Sequence, residues 1–226
     1  MIDSLITWDQ YLLLVINDWH CAFADTLMWI ISGKVTWVWL YALLIGLVFY
    51  RCYTLSRQQP LRLRWWLLSL LVIVAVAGSA GLADWISSGI IKHAVCRWRP
   101  THDPGLSALV HIVNGYTGGR YGFVSSHAAD TFACALSFSL FWHYTSTHKK
   151  RATLSVTLPL MLWVVLNCYS RVYLGVHYPG DIAGGLCVGG MVAVLLFLGL
   201  RTVLPAVEDC GDRTGSACSC KRRTAP

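Results

Sequence analysis

Long apolar blocks separated by short polar stretches set the pattern of this chain. Residues 11–16 form an apolar run bounded by Asp9 and Asp18, too short to span a bilayer, so residues 1–22 predict an interfacial helix. The first span is predicted within residues 26–50. Lys34 interrupts it, so either the embedded part begins after Lys34 or that lysine snorkels to the headgroups. Residues 51–64 are polar, and residues 65–91 form the second span. Asp84 is the one acid in it, and Lys92 follows eight residues later on roughly the same helical face, which suggests a pair. Residues 93–122 are a long loop with Pro100 and Pro104, a length usually kept for function. Three more spans follow over residues 126–144, 152–169 and 181–204. Gly185 and Gly189 in the last have the spacing that lets helices approach closely. The pattern predicts an all-α membrane bundle of about five spans plus an N-terminal interfacial helix. One embedded domain covers residues 1–206, and a polar, disordered tail covers 207–226.

Composition agrees. Of 226 residues, 56% are hydrophobic and only 13% are charged, which describes a multi-spanning membrane protein with room for little beyond one bundle. The first basic residue is Lys34, so no cleavable signal peptide is expected. Cys134, Cys168 and Cys187 lie in apolar runs and read as small packing residues. Cys210, Cys218 and Cys220 cluster in the tail, but their spacing fits no strong metal template and no histidine is close.

The net charge of +7 is informative through its placement. Basic residues sit at helix ends and in short loops, which argues against a nucleic-acid partner. Arg51, Arg57, Arg62 and Arg64, then Lys149, Lys150 and Arg151, then the basic residues from Arg201 onward all fall on one side of a five-span arrangement. The positive-inside rule makes that side cytoplasmic, and the C-terminus with it. Lys34, Lys92, Arg97, Arg99, Arg120 and Arg171 remain on the other side, most of them near the ends of three spans. Cations kept where topology disfavours them suggest a site.

Three segments converge there. Lys92 and Arg99-Pro100 close the second span, Ser125-Ser126-His127 open the third, and Ser170-Arg171, His177 and Asp181 join the fourth to the fifth. His177 and Asp181 are four apart, so the carboxylate can reach back to one ring nitrogen, set the tautomer and leave the other nitrogen free to attack. Arg171 offers a planar fork of donors suited to a phosphate.

In these motifs the chain resembles the type 2 phosphatidic acid phosphatase superfamily, which also includes vanadium haloperoxidases. That family is marked by Lys-x6-Arg-Pro, Pro-Ser-Gly-His and Ser-Arg-x5-His-x3-Asp, in this order. The first and third match at every fixed position. In the second, Val124 stands for the proline and Ser126 for the glycine, while Ser125 and His127 keep their places. The resemblance covers residues 65–204 and implies a metal-independent, cofactor-free lipid phosphatase. Lys92, Arg99 and Arg171 would clamp the phosphate, with the Ser125 hydroxyl and the backbone near Ser126 completing its cradle. His177 would attack, giving a phosphohistidine, and Asp181 would orient it. His127 would protonate the leaving oxygen and then activate water.

A substrate with its tail in the bilayer and its phosphate at the interface fits such a site. The resemblance suggests bacterial lipid phosphates on the extracytoplasmic face of the inner membrane: lipid A phosphate first, then undecaprenyl diphosphate or phosphatidylglycerol phosphate. Residues 101–122 are the expected selector, and Arg97 and Arg120 are weaker candidates for a second phosphate or a sugar. His93, His102 and His111 match no motif and read as loop residues with at most a substrate-contact role. Two other classes are distinguishable by assay. A vanadium haloperoxidase would oxidise bromide with vanadate, and a non-enzymatic membrane protein would release no phosphate.

Overall fold

The computed structural model describes residues 2–205, and the predicted tail with Cys210, Cys218 and Cys220 lies outside the described residues. Helix α1 spans Ile2–Asp18 and α2 spans Ala22–Ser32. The longer helices are α3 over Val35–Gln58, α4 over Trp65–Val95, α5 over Ser126–Thr145, α6 over Lys149–Tyr173 and α7 over Pro179–Leu200. Of these, α3, α4, α6 and α7 are long and apolar enough to cross a membrane.

Helix α5 is less apolar because it carries His127, Asp130, Thr131, Ser137 and Ser139. At 20 residues it is still about 30 Å long. It packs against α4, α6 and α7, which shield its polar groups from lipid. Some of those groups bind its neighbours. Ser137 Oγ donates to Ser79 Oγ of α4 at 2.9 Å, and Ser79 Oγ reaches the Ala133 carbonyl at 3.2 Å.

Helices α5 and α7 meet backbone to backbone. A Cβ on Gly189 would collide with the Ala129 carbonyl, and one on Gly185 with the Ser125 carbonyl. Gly189→Leu is therefore expected to destabilise by about 3 kcal/mol or more through overpacking. The check is the yield of monodisperse protein on detergent extraction and its thermal midpoint. Gly46→Leu, which meets open space on α3, is the control expected to behave as wild type.

The structure corrects several boundaries. Residues 26–32 are not part of the first span. They belong to α2, which ends where Gly33 turns extended, and α3 begins beyond Lys34. At its far end α3 runs on to Gln58, so Arg51 and Arg57 lie on the helix and not in a loop. Arg51 is half-buried there. Its Nε donates to Thr145 Oγ1 at 3.2 Å and its Nη2 to the Thr145 carbonyl, tying α3 to the end of α5. The second span continues to Val95 through a π-helical turn at Ile86–Ile91. A π turn holds an extra residue, so eight positions no longer return to one face. Lys92 accordingly makes no ion pair with Asp84 and points to α5 instead. Helix α6 runs on to Tyr173, so Ser170 and Arg171 sit in its last turn and not beyond it.

Helix α1 lies where α6 ends and α7 begins, packed on both. Asn17 anchors its end: Nδ2 donates to the carbonyls of Tyr173 and His111, at 2.7 and 3.0 Å, and Oδ1 accepts the His111 N–H at 2.7 Å. Leu5, Trp8, Tyr11 and Leu12 stay exposed, an apolar face of the kind an interfacial helix turns to lipid. At the opposite end of the bundle, Arg62 Nη1 donates to the Thr202 carbonyl at 3.0 Å. Arg62, between α3 and α4, and Arg201, at the end of α7, therefore share one end, away from α1. Cys134 and Cys168 are buried, as packing residues should be, whereas Cys187 is exposed.

Candidate active site

Helix α4 stops at Cys96, which adopts the left-handed conformation with φ 53°. The long loop that follows is cinched at its base. The Arg99 N–H reaches the Arg120 carbonyl at 3.1 Å, and the Gly122 N–H reaches the Arg97 carbonyl at 2.8 Å. This crossing brings the chain back to Ser125 and holds Arg99 beside the end of α7. The space between them is narrow. A Cβ on Gly122 would lie 2.8 Å from Asp181 Oδ2 and 3.2 Å from Arg99 Cγ, so only glycine lets the strand pass.

Ser125 is the N-cap of α5, its Oγ accepting the Ala128 N–H at 3.4 Å while its own N–H reaches the Asp181 carbonyl at 2.9 Å. Among the described residues the Ser125 hydroxyl hydrogen has no acceptor. The amides of Ser126 and His127 open the helix, where N–H groups have no intrahelical acceptor. Lys92 Nζ donates to Ser126 Oγ at 2.9 Å, which fixes the ammonium at the same helix end.

Arg171 projects from the last turn of α6 and is buried. Its Nη1 donates to Ser32 Oγ of α2, and its Nη2 reaches the Tyr116 hydroxyl at 3.2 Å. Arg99, 7% exposed, donates Nε to the Tyr121 carbonyl at 3.1 Å. Arg99 Nη1 and Arg171 Nε are buried with no hydrogen-bond partner among the described residues. Buried guanidinium donors without acceptors are costly unless a ligand supplies them, and an anion is the ligand that fits.

His177 is 1% exposed and Asp181 fully enclosed. Asp181 Oδ2 faces His177 Nδ1 at 3.4 Å and accepts the Tyr178 N–H at 3.1 Å. Burial holds the imidazole well below its usual pKa, and the positive charges of Arg99, Arg171 and Lys92 push it further the same way. The ring is therefore neutral at physiological pH, the form that can attack an electrophile. His127, at the start of α5, is within electrostatic reach of the same ring. The eight residues singled out from the sequence thus gather at one end of the bundle: Lys92, Arg99, Ser125, Ser126, His127, Arg171, His177 and Asp181.

Others placed by the sequence go elsewhere. Arg97 is not free for a second phosphate or a sugar, because two carboxylates already hold it: Asp181 Oδ1 at 2.9 Å and Asp9 Oδ2 at 2.7 Å. Arg120 is exposed and lies over the Trp98 ring at 4.4 Å. His111 pairs with Asp25 at 3.1 Å and stacks on His20, so it fastens the N-terminal helices to the loop. His102 contacts Thr101 Oγ1 at 3.1 Å, and His93 is exposed.

Three contributors have no motif to reveal them: Asp9, Ser32 and Tyr116. Burial pushes the Tyr116 phenol up, but Arg171 and Arg99 beside it outweigh that and hold it below its usual pKa. A phenol so placed shares the cationic field of the site.

Several known phosphatases are similar to this chain. The chain is 34% identical to a lipid A 4'-phosphatase from Bacteroides thetaiotaomicron over 198 residues, 87% of this chain and 79% of that protein. It is 30% identical to a lipid A 4'-phosphatase from Porphyromonas gingivalis over 200 residues, 86% of this chain and 74% of the relative. It is 32% identical to a decaprenylphosphoryl-5-phosphoribose phosphatase from Mycobacterium tuberculosis over 158 residues, 70% of this chain and 69% of the relative. The crystal structure of a transmembrane PAP2 type phosphatidylglycerolphosphate phosphatase from Bacillus subtilis superposes with a TM-score of 0.62 at 19% identity. The match covers 89% of this chain and 88% of that one, a likeness of fold. The family model for the PAP2 superfamily matches residues 66–204, which carry all three motifs from Lys92 to Asp181, and the chain belongs to that superfamily.

Proposed function

We propose that this PAP2 enzyme removes a phosphate from lipid A through a phosphohistidine on His177. Membership of the family, with phosphatases among its relatives, makes it a phosphatase of lipid phosphates. The observation that carries the mechanism is the pair of buried, unpartnered guanidinium donors, Arg99 Nη1 and Arg171 Nε, around a neutral histidine backed by Asp181. Lys92, Arg99 and Arg171 neutralise the phosphoryl oxygens, aided by the Ser125 hydroxyl and the first amides of α5. His177 Nδ1–H points to Asp181, so Nε2 holds the free lone pair. It forms the P–N bond as the bond from phosphorus to the lipid oxygen breaks, and His127 gives that oxygen its proton. Water then attacks phosphorus with His127 taking its proton, the P–N bond breaks, and inorganic phosphate leaves.

The substrate assignment rests on similarity to two lipid A 4'-phosphatases along most of the chain. The similarity to a decaprenylphosphoryl-5-phosphoribose phosphatase supports a second reading, a polyprenyl phosphate or diphosphate. Arg62 and Arg201 share the end away from α1, which supports a cytoplasmic C-terminus and a site facing the periplasm of a bacterial inner membrane.

The test is phosphate release by detergent-purified protein from lipid A, undecaprenyl diphosphate and phosphatidylglycerol phosphate, with and without EDTA. Lipid A is expected to show the highest kcat/KM, undiminished by the chelator, since three side-chain cations carry the electrostatic load. Preference for a polyprenyl substrate would replace the first reading with the second, and loss of turnover in EDTA would refute the metal-free mechanism. A C-terminal tag digested by protease added outside spheroplasts would invert the orientation.

A further inference from the structure

We propose that Asp9 and Arg97 are positioning residues for the His177–Asp181 pair, so that helix α1, outside residues 66–204, completes the catalytic centre. The inference rests on the proposed role of that pair. The two oxygens of Asp181 have separate partners. Oδ2 faces His177 Nδ1 and takes the Tyr178 N–H, while Oδ1 takes Nη1 of Arg97 at 2.9 Å. Turning the carboxylate to follow a moving imidazole would break the Arg97 bond.

Arg97 is itself fixed from several sides. Its Nη2 donates to Asp9 Oδ2 at 2.7 Å. Its guanidinium lies 4.1 Å over the ring of Tyr178, whose hydroxyl donates to Asp103 Oδ2 at 3.0 Å. Its backbone carbonyl holds Gly122, the residue that passes Asp181. Asp9 in turn accepts the Gly180 N–H on Oδ1 at 2.7 Å, in the first turn of α7. A Cβ on Gly180 would lie 2.8 Å from Asp9 Oδ2, so α1 seats directly on the helix that bears Asp181.

The arrangement is a relay of fixed charges: a carboxylate on α1, a guanidinium after α4, and a carboxylate on α7. The side chain of Asp9 is 13% exposed, that of Arg97 25% and that of Asp181 0%, so all three are largely shielded from water and the carboxylate next to His177 completely. Paired and partly buried charges of this kind lose little to solvent screening. Among the described residues no hydrogen bond or ion pair joins the side chains of Asp9, Arg97 or Asp181 to Lys92, Arg99 or Arg171. The relay therefore bears on where the nucleophile points and leaves phosphate binding alone.

The experiment compares wild type with Arg97→Met, Arg97→Lys, Asp9→Asn, the Asp9→Asn/Arg97→Met double variant and His177→Ala. Each is assayed on the lipid phosphate that wild type turns over fastest, with inorganic phosphate and orthovanadate as competitive inhibitors. Vanadate takes the five-coordinate geometry only if the nucleophilic nitrogen is in place, whereas phosphate needs only the cradle. Arg97→Met is expected to lower kcat by roughly 10–100-fold with KM within about 2-fold, the pattern of an interaction made in the transition state. Asp9→Asn should follow in the same direction with a smaller drop, and Arg97→Lys should restore part of the loss. The double variant should be no worse than Arg97→Met within about 2-fold, because the two residues act as one unit. Vanadate inhibition should weaken along with kcat while phosphate inhibition holds.

Unchanged kcat in Arg97→Met would overturn the proposal. So would equal losses in kcat, KM and phosphate inhibition, which would mark general collapse of the site, and so would additive effects of the two substitutions. Full turnover by His177→Ala would instead overturn the catalytic reading beneath it. If Arg97→Met does not survive extraction as folded protein, the nearly isosteric Asp9→Asn carries the same kcat, KM and vanadate test.

Discussion

His177→Ala is expected to lower phosphate release by at least about 1,000-fold, the scale on which loss of a nucleophile registers in enzymes with covalent intermediates. The imidazole is enclosed, neutral, and aimed by Asp181. Without it the cradle can still bind the anion but cannot divide the reaction into two displacements. Folding should survive, because Asp181 keeps Arg97 and the Tyr178 N–H as partners. A thermal midpoint within a few degrees of wild type checks that. His127→Ala should lose roughly 100–10,000-fold on lipid substrates, the usual worth of acid–base help. It should recover much of that loss on p-nitrophenyl phosphate, whose leaving group needs no proton. His177→Ala should not recover on any leaving group. Rescue of His177→Ala, or none of His127→Ala, would reverse the two roles.

Arg99→Lys is expected to lower kcat/KM by roughly 100-fold or more, comparable to removing one preorganised donor to a developing oxyanion. The charge is kept, but the geometry is not. Arg99 uses Nε on the Tyr121 carbonyl and keeps Nη1 buried with no partner among the described residues, two donors held in one rigid plane. A lysine has a single nitrogen and cannot serve both. Inhibition by inorganic phosphate should weaken in parallel, which separates loss of the cradle from loss of the nucleophile. Arg120→Ala, at a cation of the same loop that is exposed and stacked on Trp98, should stay within about 2-fold of wild type. Wild-type kinetics in Arg99→Lys would remove Arg99 from the site.

The chain's residue order carried much of this. Apolar blocks long enough to span a bilayer dictate helices, because backbone groups in lipid must bond within their own segment. Fixed spacings put Lys92, Arg99, Ser125, His127, Arg171, His177 and Asp181 at or just past the ends of those helices; Lys92, Ser125, His127, Arg171 and Asp181 lie in or against first or last turns, and Arg99 and His177 in the loops that follow α4 and α6. Local offsets also held where the chain between two residues is short, as for Asp181 reaching back to His177 across one turn.

Tertiary structure decided what depends on partners far apart in sequence. Asp84 and Lys92 look paired on an ideal helix, but the π turn between them rotates the lysine toward Ser126. Arg97 looks like another substrate cation until Asp9, 88 residues away, and Asp181 are seen on either side of it. Ser32 and Tyr116 belong to no motif and matter only because Arg171 is folded against them. Span length and motif spacing are properties of neighbours along the chain and so can be read in one dimension. Which charge is satisfied and which is left for a ligand is settled only when distant helices pack, since that packing supplies or withholds the partner.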